Sequence, residues 1–182
     1  VVCFTGRLIK EKGILNLIDA INRINQNEKN TVPVYLLIAG TGELDEVIKG
    51  LVNNNIIWLG QLEHQEVIRL LKESDVFCLP TVYPEGFPTS VLEAAAAKCY
   101  VITTTYGGSK ELIVSSDYGC ILQDNAPDKI CTAIKRVLCD DQYKRNAEVN
   151  AYNRLLQYFT WDSVTEKMIY ELNSLTAKEK KR

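Results

Sequence analysis

The stretch from Leu79 to Gly108, LPTVYPEGFPTSVLEAAAAKCYVITTTYGG, decides the fold that this sequence predicts. Its pattern predicts the end of a strand, a loop rich in glycine and proline, a helix, a second strand and a Gly-Gly loop. A strand, a helix and another strand in succession are the repeating unit of an α/β fold with a parallel sheet. The first loop therefore lies at the carboxyl end of its strand, where ligands bind in such folds.

Two carboxylates stand eight residues apart in this stretch, Glu85 in the loop and Glu93 near the start of the helix. The backbone N–H groups of a helix N-terminus attract phosphate, and carboxylates accept hydrogen bonds from hydroxyl groups. A ligand with a central diphosphate and hydroxyls at both ends fits this arrangement, and a nucleotide-sugar is such a ligand. Ser90 and Glu93 also match the S-x-x-E capping box, which alone could explain Glu93. Both interpretations of Glu93 stay open.

Strands and helices alternate on both sides of this stretch. Periodicity predicts strands at 1–4, 34–39, 56–59, 76–79, 101–103 and 119–122. It predicts helices at 14–26, from 43 to about 51, at 65–73, after Ser90, and at 110–114, 127–138, 141–158 and 162–175. A polar connection is expected at 26–31 and a solvated charged tail at 178–182. We therefore predict an α/β fold, a doubly wound, Rossmann-like parallel sheet of about six strands with extra C-terminal helices.

Composition limits the function classes. The 182 residues are 46% hydrophobic and 24% charged with a net charge of −2, so the basic excess of nucleic-acid-binding proteins is missing. No apolar run approaches the roughly 18 residues that span a bilayer. The six cysteines form no C-x-x-C pair, and Cys3, Cys78 and Cys120 lie in apolar runs, which favours reduced thiols in the cytoplasm. Because the chain opens on a strand without a methionine, we expect a fragment of a longer protein.

The loop after the first strand, residues 6–13, carries Arg7 and Lys12. Arginine offers a planar fork of donors and lysine a mobile point charge, and the two together can hold a diphosphate. Such residues are more often solvated loop charges, and the loop is not a Walker motif. This loop is therefore the candidate phosphate site, with the solvated interpretation as its alternative.

Two other features are weaker candidates. Gly40-Thr41-Gly42 contains only part of a dinucleotide-binding fingerprint, and it predicts a tight turn from strand to helix. His64 is the only histidine and has no Cys or His cluster around it, which disfavours a metal site. We predict that His64 is a polar residue at a helix start.

Several segments, in their order and spacing, together resemble a known family. The chain is similar to the C-terminal, donor-binding domain of a family 4 glycosyltransferase with the two-domain GT-B fold. The resemblance rests on FTGRLIKEKG (4–13), LLIAGTGE (36–43), IIWLGQLEHQEVIRLLKESDVFCLP (56–80), PEGFPTSVLEAAAAKCYVITTTYGGSKELI (84–113) and FTWDSVTEKMIYEL (159–172).

The resemblance implies a role for each candidate residue. Glu85 would be the first glutamate of an E-x7-E motif and hold hydroxyls of the donor sugar, while Glu93 would hold the ribose. Arg7 and Lys12 would bind the diphosphate and stabilise it as it leaves, so the catalytic set is Arg7, Lys12 and Glu85. The remaining donor-binding positions would be Gly6, Gln61 and Leu62 near the base, and Gly86, Phe87, Pro88, Thr89 and Ser90 around the sugar and phosphates. Many relatives have glycine at Pro88, and proline has no N–H to donate.

The resemblance also implies a reaction and partners. A sugar, a hexosyl group or a related one, would pass from a nucleotide-diphosphate sugar to an acceptor with retention of configuration and without a metal or other cofactor. Residues 1–182 would form one nucleotide-sugar-binding domain, and the helix at 161–175 would contact an absent N-terminal acceptor domain. Peripheral association of the full protein with the inner face of a membrane stays open. A nucleotide-sugar epimerase of similar architecture and a binding module without transfer activity remain alternatives.

Overall fold

A computed structural model describes residues 1–26, 32–84 and 86–179 of the chain, and a parallel sheet forms its centre. In these ranges the strands are β1 (Val2–Thr5), β2 (Leu36–Ala39), β3 (Ile56–Trp58), β4 (Val76–Leu79), β5 (Tyr100–Thr104) and β6 (Cys120–Leu122). Their order in the sheet is β3-β2-β1-β4-β5-β6, and every neighbouring pair is parallel. The predicted doubly wound sheet of six strands is thereby confirmed.

Helices connect the strands and cover the sheet. They are α1 (Ile14–Gln26), α2 (Asp45–Lys49), α3 (His64–Lys72), α4 (Thr89–Ala96), α5 (Ser109–Leu112), α6 (Pro127–Leu138), α7 (Asp141–Tyr158) and α8 (Trp161–Glu179). The bounds of α1, α6 and α7 agree with the prediction because local signals mark them. Pro127 is the first residue of α6, where a missing N–H costs nothing. The Asp140 side chain caps α7 by accepting from the N–H of Tyr143 at 2.9 Å.

Some predicted boundaries are wrong. The strand predicted at 34–39 begins at Leu36, since the side-chain amide of Asn25 bonds both backbone groups of Val34 at 2.8 Å. Val34 therefore pairs with the Asn25 side chain and not with a neighbouring strand. The last helix extends four residues past the predicted end, to Glu179. Most of the predicted polar connection, 27–31, and the end of the predicted tail, 180–182, lie outside the described residues.

The apolar core lies on both faces of the sheet. All four residues of β1 and of β4 are buried, as expected of central parallel strands. All six cysteines have free thiols; Cys3 and Cys78 are buried, whereas Cys120 is partly exposed. Burial raises the pKa of the Cys78 thiol, which keeps it protonated and inert. Among the described helices, none has the length and apolar character required to cross a bilayer.

Candidate functional site

The strand order creates a crevice between β1 and β4. The chain continues from β1 toward β2 and from β4 toward β5, so the two loops diverge at the carboxyl edge of the sheet. A cleft of about 480 Å³ lies at this edge. Its walls come from the loops after β1, β3 and β4, and the lining residues are Thr5, Gly6, Lys12, Leu62, His64, Val67, Phe87, Pro88, Thr89, Ser90 and Glu93. The loops after β1, β3 and β4 therefore meet at one cleft.

Backbone hydrogen bonds hold the loop after β1 against the end of β2. The N–H of Gly6 donates to the carbonyl of Ala39 at 3.1 Å, and the N–H of Leu8 donates to Thr41 at 3.0 Å. A Cβ on Gly40 would lie 1.9 Å from the carbonyl oxygen of Gly6, and Gly40 has a φ of +135°. The predicted tight turn at 40–42 is confirmed. Because Gly40 has no Cβ, the loop after β1 can pack directly against this turn.

The same loop is also fixed to the loop after β4. A short 3₁₀ helix, Lys10–Lys12, accepts two hydrogen bonds at the Glu11 carbonyl, from the Val82 N–H at 2.7 Å and the Thr81 hydroxyl at 3.3 Å. Gly13 follows with a φ of +76°, and a Cβ there would lie 2.1 Å from the carbonyl oxygen of Pro80. These contacts fix the backbone of Lys12 at the wall of the cleft.

Arg7 occupies a different place from Lys12. It is exposed and is not among the lining residues. Its guanidinium carbon lies 5.8 Å from the centre of the Tyr83 ring, and Lys12 Nζ lies 5.7 Å from the same centre. Gln61 and Gly86 are likewise exposed and do not line the cleft. Glu85 lies outside the described residues, so its role stays a prediction.

The N-terminus of α4 points into the cleft. The helix begins at Thr89 with Pro88 as its N-cap residue, so Ser90 is the second helical residue. The capping-box interpretation of Ser90 and Glu93 is therefore wrong, because Glu93 is the fifth residue and the motif needs the third. The helix begins before the position that the capping motif indicates, because the Pro88 φ of −65° suits a helix boundary. Proline also has no N–H that would need a hydrogen-bond partner there. In the described part of the chain, the N–H groups of Thr89 and Ser90 have no hydrogen-bond partner.

Glu93 faces His64 across the cleft. His64 Nδ1 lies 3.7 Å from Glu93 Oε1, and the Glu93 side chain is 31% exposed. His64 is the first residue of α3, which confirms its predicted place at a helix start. Its proximity to Glu93 was not predicted, because only the sheet order brings α3 beside α4. The available signal was that His64 ends a loop at the same sheet edge.

The sequence did not predict two further features of the cleft. Thr5 ends β1, and its hydroxyl is buried without a partner among the described residues. An unsatisfied buried hydroxyl at a cleft wall is suited to a polar ligand atom or water. The ring of Phe87 packs on Phe159 with centroids 5.3 Å apart, and the carbonyl of Gly86 accepts from the Gly108 N–H at 2.7 Å. Gly107-Gly108 thus supports the loop before α4.

Larger clefts exist, of about 600 Å³ beside β6 and about 640 Å³ between α7 and α8. Neither is lined by the loops after β1, β3 or β4, so we assign the site to the cleft between β1 and β4. Among the described residues, no group of three or more His, Cys, Asp or Glu side chains could hold a metal ion.

Comparison with known proteins identifies the class that this fold and cleft define. A family described as "Glycosyl transferases group 1" matches residues 1–154. An uncharacterized glycosyltransferase from Methanocaldococcus jannaschii is 30% identical over 176 residues, covering 93% of this chain and 44% of that protein. The solved C-terminal domain of a glycosyl transferase group 1 family protein from Francisella tularensis has a TM-score of 0.75 and 22% identity, covering 88% and 86% of the two chains. Anabaena HepE in complex with UDP has a TM-score of 0.81 and 22% identity, covering 95% and 48%.

The chain belongs to the group 1 family of glycosyl transferases. It spans less than half the length of the curated relatives that it matches. The two solved structures are similar to this chain in fold, an α/β sheet of parallel strands.

Proposed function

We propose that this chain supplies the nucleotide-sugar donor site of a two-domain, retaining glycosyltransferase. One observation carries the proposal: the cleft at the crevice between β1 and β4 brings together a cation, open amides at a helix N-terminus and a carboxylate. The cation and the amides complement the diphosphate of a nucleoside diphosphate, and the carboxylate complements its ribose hydroxyls. The HepE structure, which holds UDP, has the same fold.

The diphosphate lies between Lys12 and the start of α4 in this proposal. The amides of Thr89 and Ser90 and the positive end of the helix dipole attract phosphate oxygens. Negative charge grows on the diphosphate as the bond to the sugar breaks, and Lys12 stabilises that charge where it develops. Arg7 reaches the diphosphate from beside the cleft. Because these groups supply the positive charge, the reaction needs no metal.

The nucleoside lies toward α3. Glu93 accepts hydrogen bonds from the ribose hydroxyls, and its wall position with 31% exposure leaves the carboxylate open to the cleft. Leu62 and Val67 offer apolar contact to the base from the same side, and Gln61 flanks them. Glu85 binds the hydroxyls of the transferred sugar, and backbone groups from Gly86 to Ser90 complete its surroundings.

The acceptor site belongs to a second domain of the same protein. Helix α8 carries exposed apolar side chains, among them Trp161 at 87% and Tyr170 at 72% exposure. The others are Val164, Met168, Ile169, Leu172 and Leu175. An apolar surface of this extent on one helix marks an interaction site. We assign it to the N-terminal domain, because the chain covers under half of its relatives' length.

Titration calorimetry of this chain with UDP, GDP and ADP and their sugar derivatives tests the proposal. At least one nucleoside diphosphate should bind, equally well with and without EDTA. The full-length protein should release nucleotide from the donor only when an acceptor is present. An epimerase would release nucleotide or isomerise the sugar without any acceptor. Failure of all three diphosphates to bind would refute the donor-site assignment.

A further inference from the structure

Tyr83 lies where the two cations of the proposed phosphate site converge. The Arg7 guanidinium carbon is 5.8 Å and Lys12 Nζ is 5.7 Å from the centre of its ring. The face of an aromatic ring carries partial negative charge and attracts cations within about 6 Å. One ring therefore holds two like charges that would otherwise repel each other.

The backbone of Tyr83 is fixed relative to Lys12. The N–H of Tyr83 donates to the Thr81 hydroxyl at 3.0 Å, and that hydroxyl donates to the carbonyl of Glu11 at 3.3 Å. Glu11 immediately precedes Lys12 in the 3₁₀ helix. Thr81 is fully buried, and its own carbonyl accepts from the hydroxyl of Thr104 on β5. The ring and the lysine thus share one hydrogen-bonded frame anchored in the sheet.

We propose that Tyr83 is a positioning residue that orders Arg7 and Lys12 for the diphosphate. This inference rests on the proposed function. Long cationic side chains lose rotamer freedom when they bind a phosphate, and a ring that orders them beforehand reduces that loss. Tyr83 is not among the residues that line the cleft, so it acts through the two cations. The ring carries the effect, and the hydroxyl is dispensable.

The distinguishing experiment measures UDP, GDP and ADP affinity by calorimetry for parent, Tyr83→Leu and Tyr83→Phe. For each diphosphate that the parent binds, Tyr83→Leu should weaken binding about five- to ten-fold, while Tyr83→Phe should stay within about two-fold. Tyr35→Leu is the matched control, because Tyr35 is a 40% exposed tyrosine next to the amino end of β2, far from the cleft. It should leave affinity unchanged. Thermal melting of each variant confirms folding.

A double-mutant cycle shows whether the effect of Tyr83 on diphosphate affinity depends on Arg7 and Lys12. The effect of Tyr83→Leu should shrink to below about two-fold when Arg7 and Lys12 are both alanine. An undiminished effect in that background, or no effect in the parent, would overturn the inference while leaving the donor site intact. Loss of binding by Tyr83→Phe would also overturn it, because the hydroxyl would then be a direct ligand. Absence of binding by the parent itself would instead refute the proposed function.

Discussion

Replacing Glu93 by glutamine separates a ligand role from a structural one. Glu93 is the fifth residue of α4, and the described structure gives its carboxylate no hydrogen bond to the helix N-terminus. The substitution should therefore change the free energy of unfolding by less than about 0.5 kcal/mol, as at an ordinary partly exposed position. Ser90→Ala should be equally mild, because Ser90 is not the N-cap, where such a change costs about 1 kcal/mol.

Nucleotide binding should respond much more strongly to the same change. A hydrogen bond to a charged group contributes about 1.5–3 kcal/mol and a neutral one about 0.5–1.5 kcal/mol. Loss of the charge at a position that is 31% exposed should therefore cost about 1–1.5 kcal/mol. This corresponds to an affinity about five- to twelve-fold weaker. Glu46→Gln, at a glutamate 88% exposed on α2, is the matched control and should bind like the parent.

The assay compares each nucleoside diphosphate with its 2′-deoxy analogue by calorimetry. If Glu93 accepts a ribose hydroxyl, removing that hydroxyl should weaken binding to the parent more than to Glu93→Gln. Identical affinities of parent and Glu93→Gln for every diphosphate that binds would refute the ribose assignment. The E-x7-E interpretation would then lose its second glutamate.

Three further predictions concern the phosphate site, the loop packing and the reaction. Lys12→Ala should weaken diphosphate binding by about 1.5–3 kcal/mol in EDTA. Lys10 is exposed and does not line the cleft, so Lys10→Ala is the control and should not weaken binding. A requirement for Mg²⁺ or Mn²⁺ in calorimetry would contradict the metal-free phosphate site. Gly13→Ala should lower the free energy of unfolding, measured with urea, by more than about 2 kcal/mol, since its Cβ would lie 2.1 Å from the Pro80 carbonyl oxygen. Gly50 has a φ of −74°, so Gly50→Ala is the control and should be neutral or stabilising. Equal stabilities of the two variants would refute the packing argument. This chain alone should transfer no sugar from a labelled donor, and detected transfer would refute the two-domain proposal.

The parallel sheet could be predicted because its signals are local. Apolar runs such as Val76–Leu79 mark strands buried on both faces, and the apolar spacing of α1 marks a helix. Since parallel strands share one carboxyl edge, the alternation of strands and helices also placed the loops after β1 and β4 at a common edge of the sheet. The residues that line the cleft therefore came largely from loops chosen on sequence grounds.

The contacts across the site depended on tertiary structure. The sequence by itself determined that Lys12, Glu93 and the start of α4 lie at one sheet edge, because order along the chain and strand direction suffice for that. Only the packed sheet placed His64 beside Glu93 and Tyr83 beside both Arg7 and Lys12, since these pairs join loops from different strands. Only the backbone at Pro88 decided that α4 begins at Thr89, two residues before Val91, where the capping motif would start it. A short motif such as S-x-x-E reports a local preference, and here the backbone contacts of the loop before α4 with the loops after β1 and β5 override it.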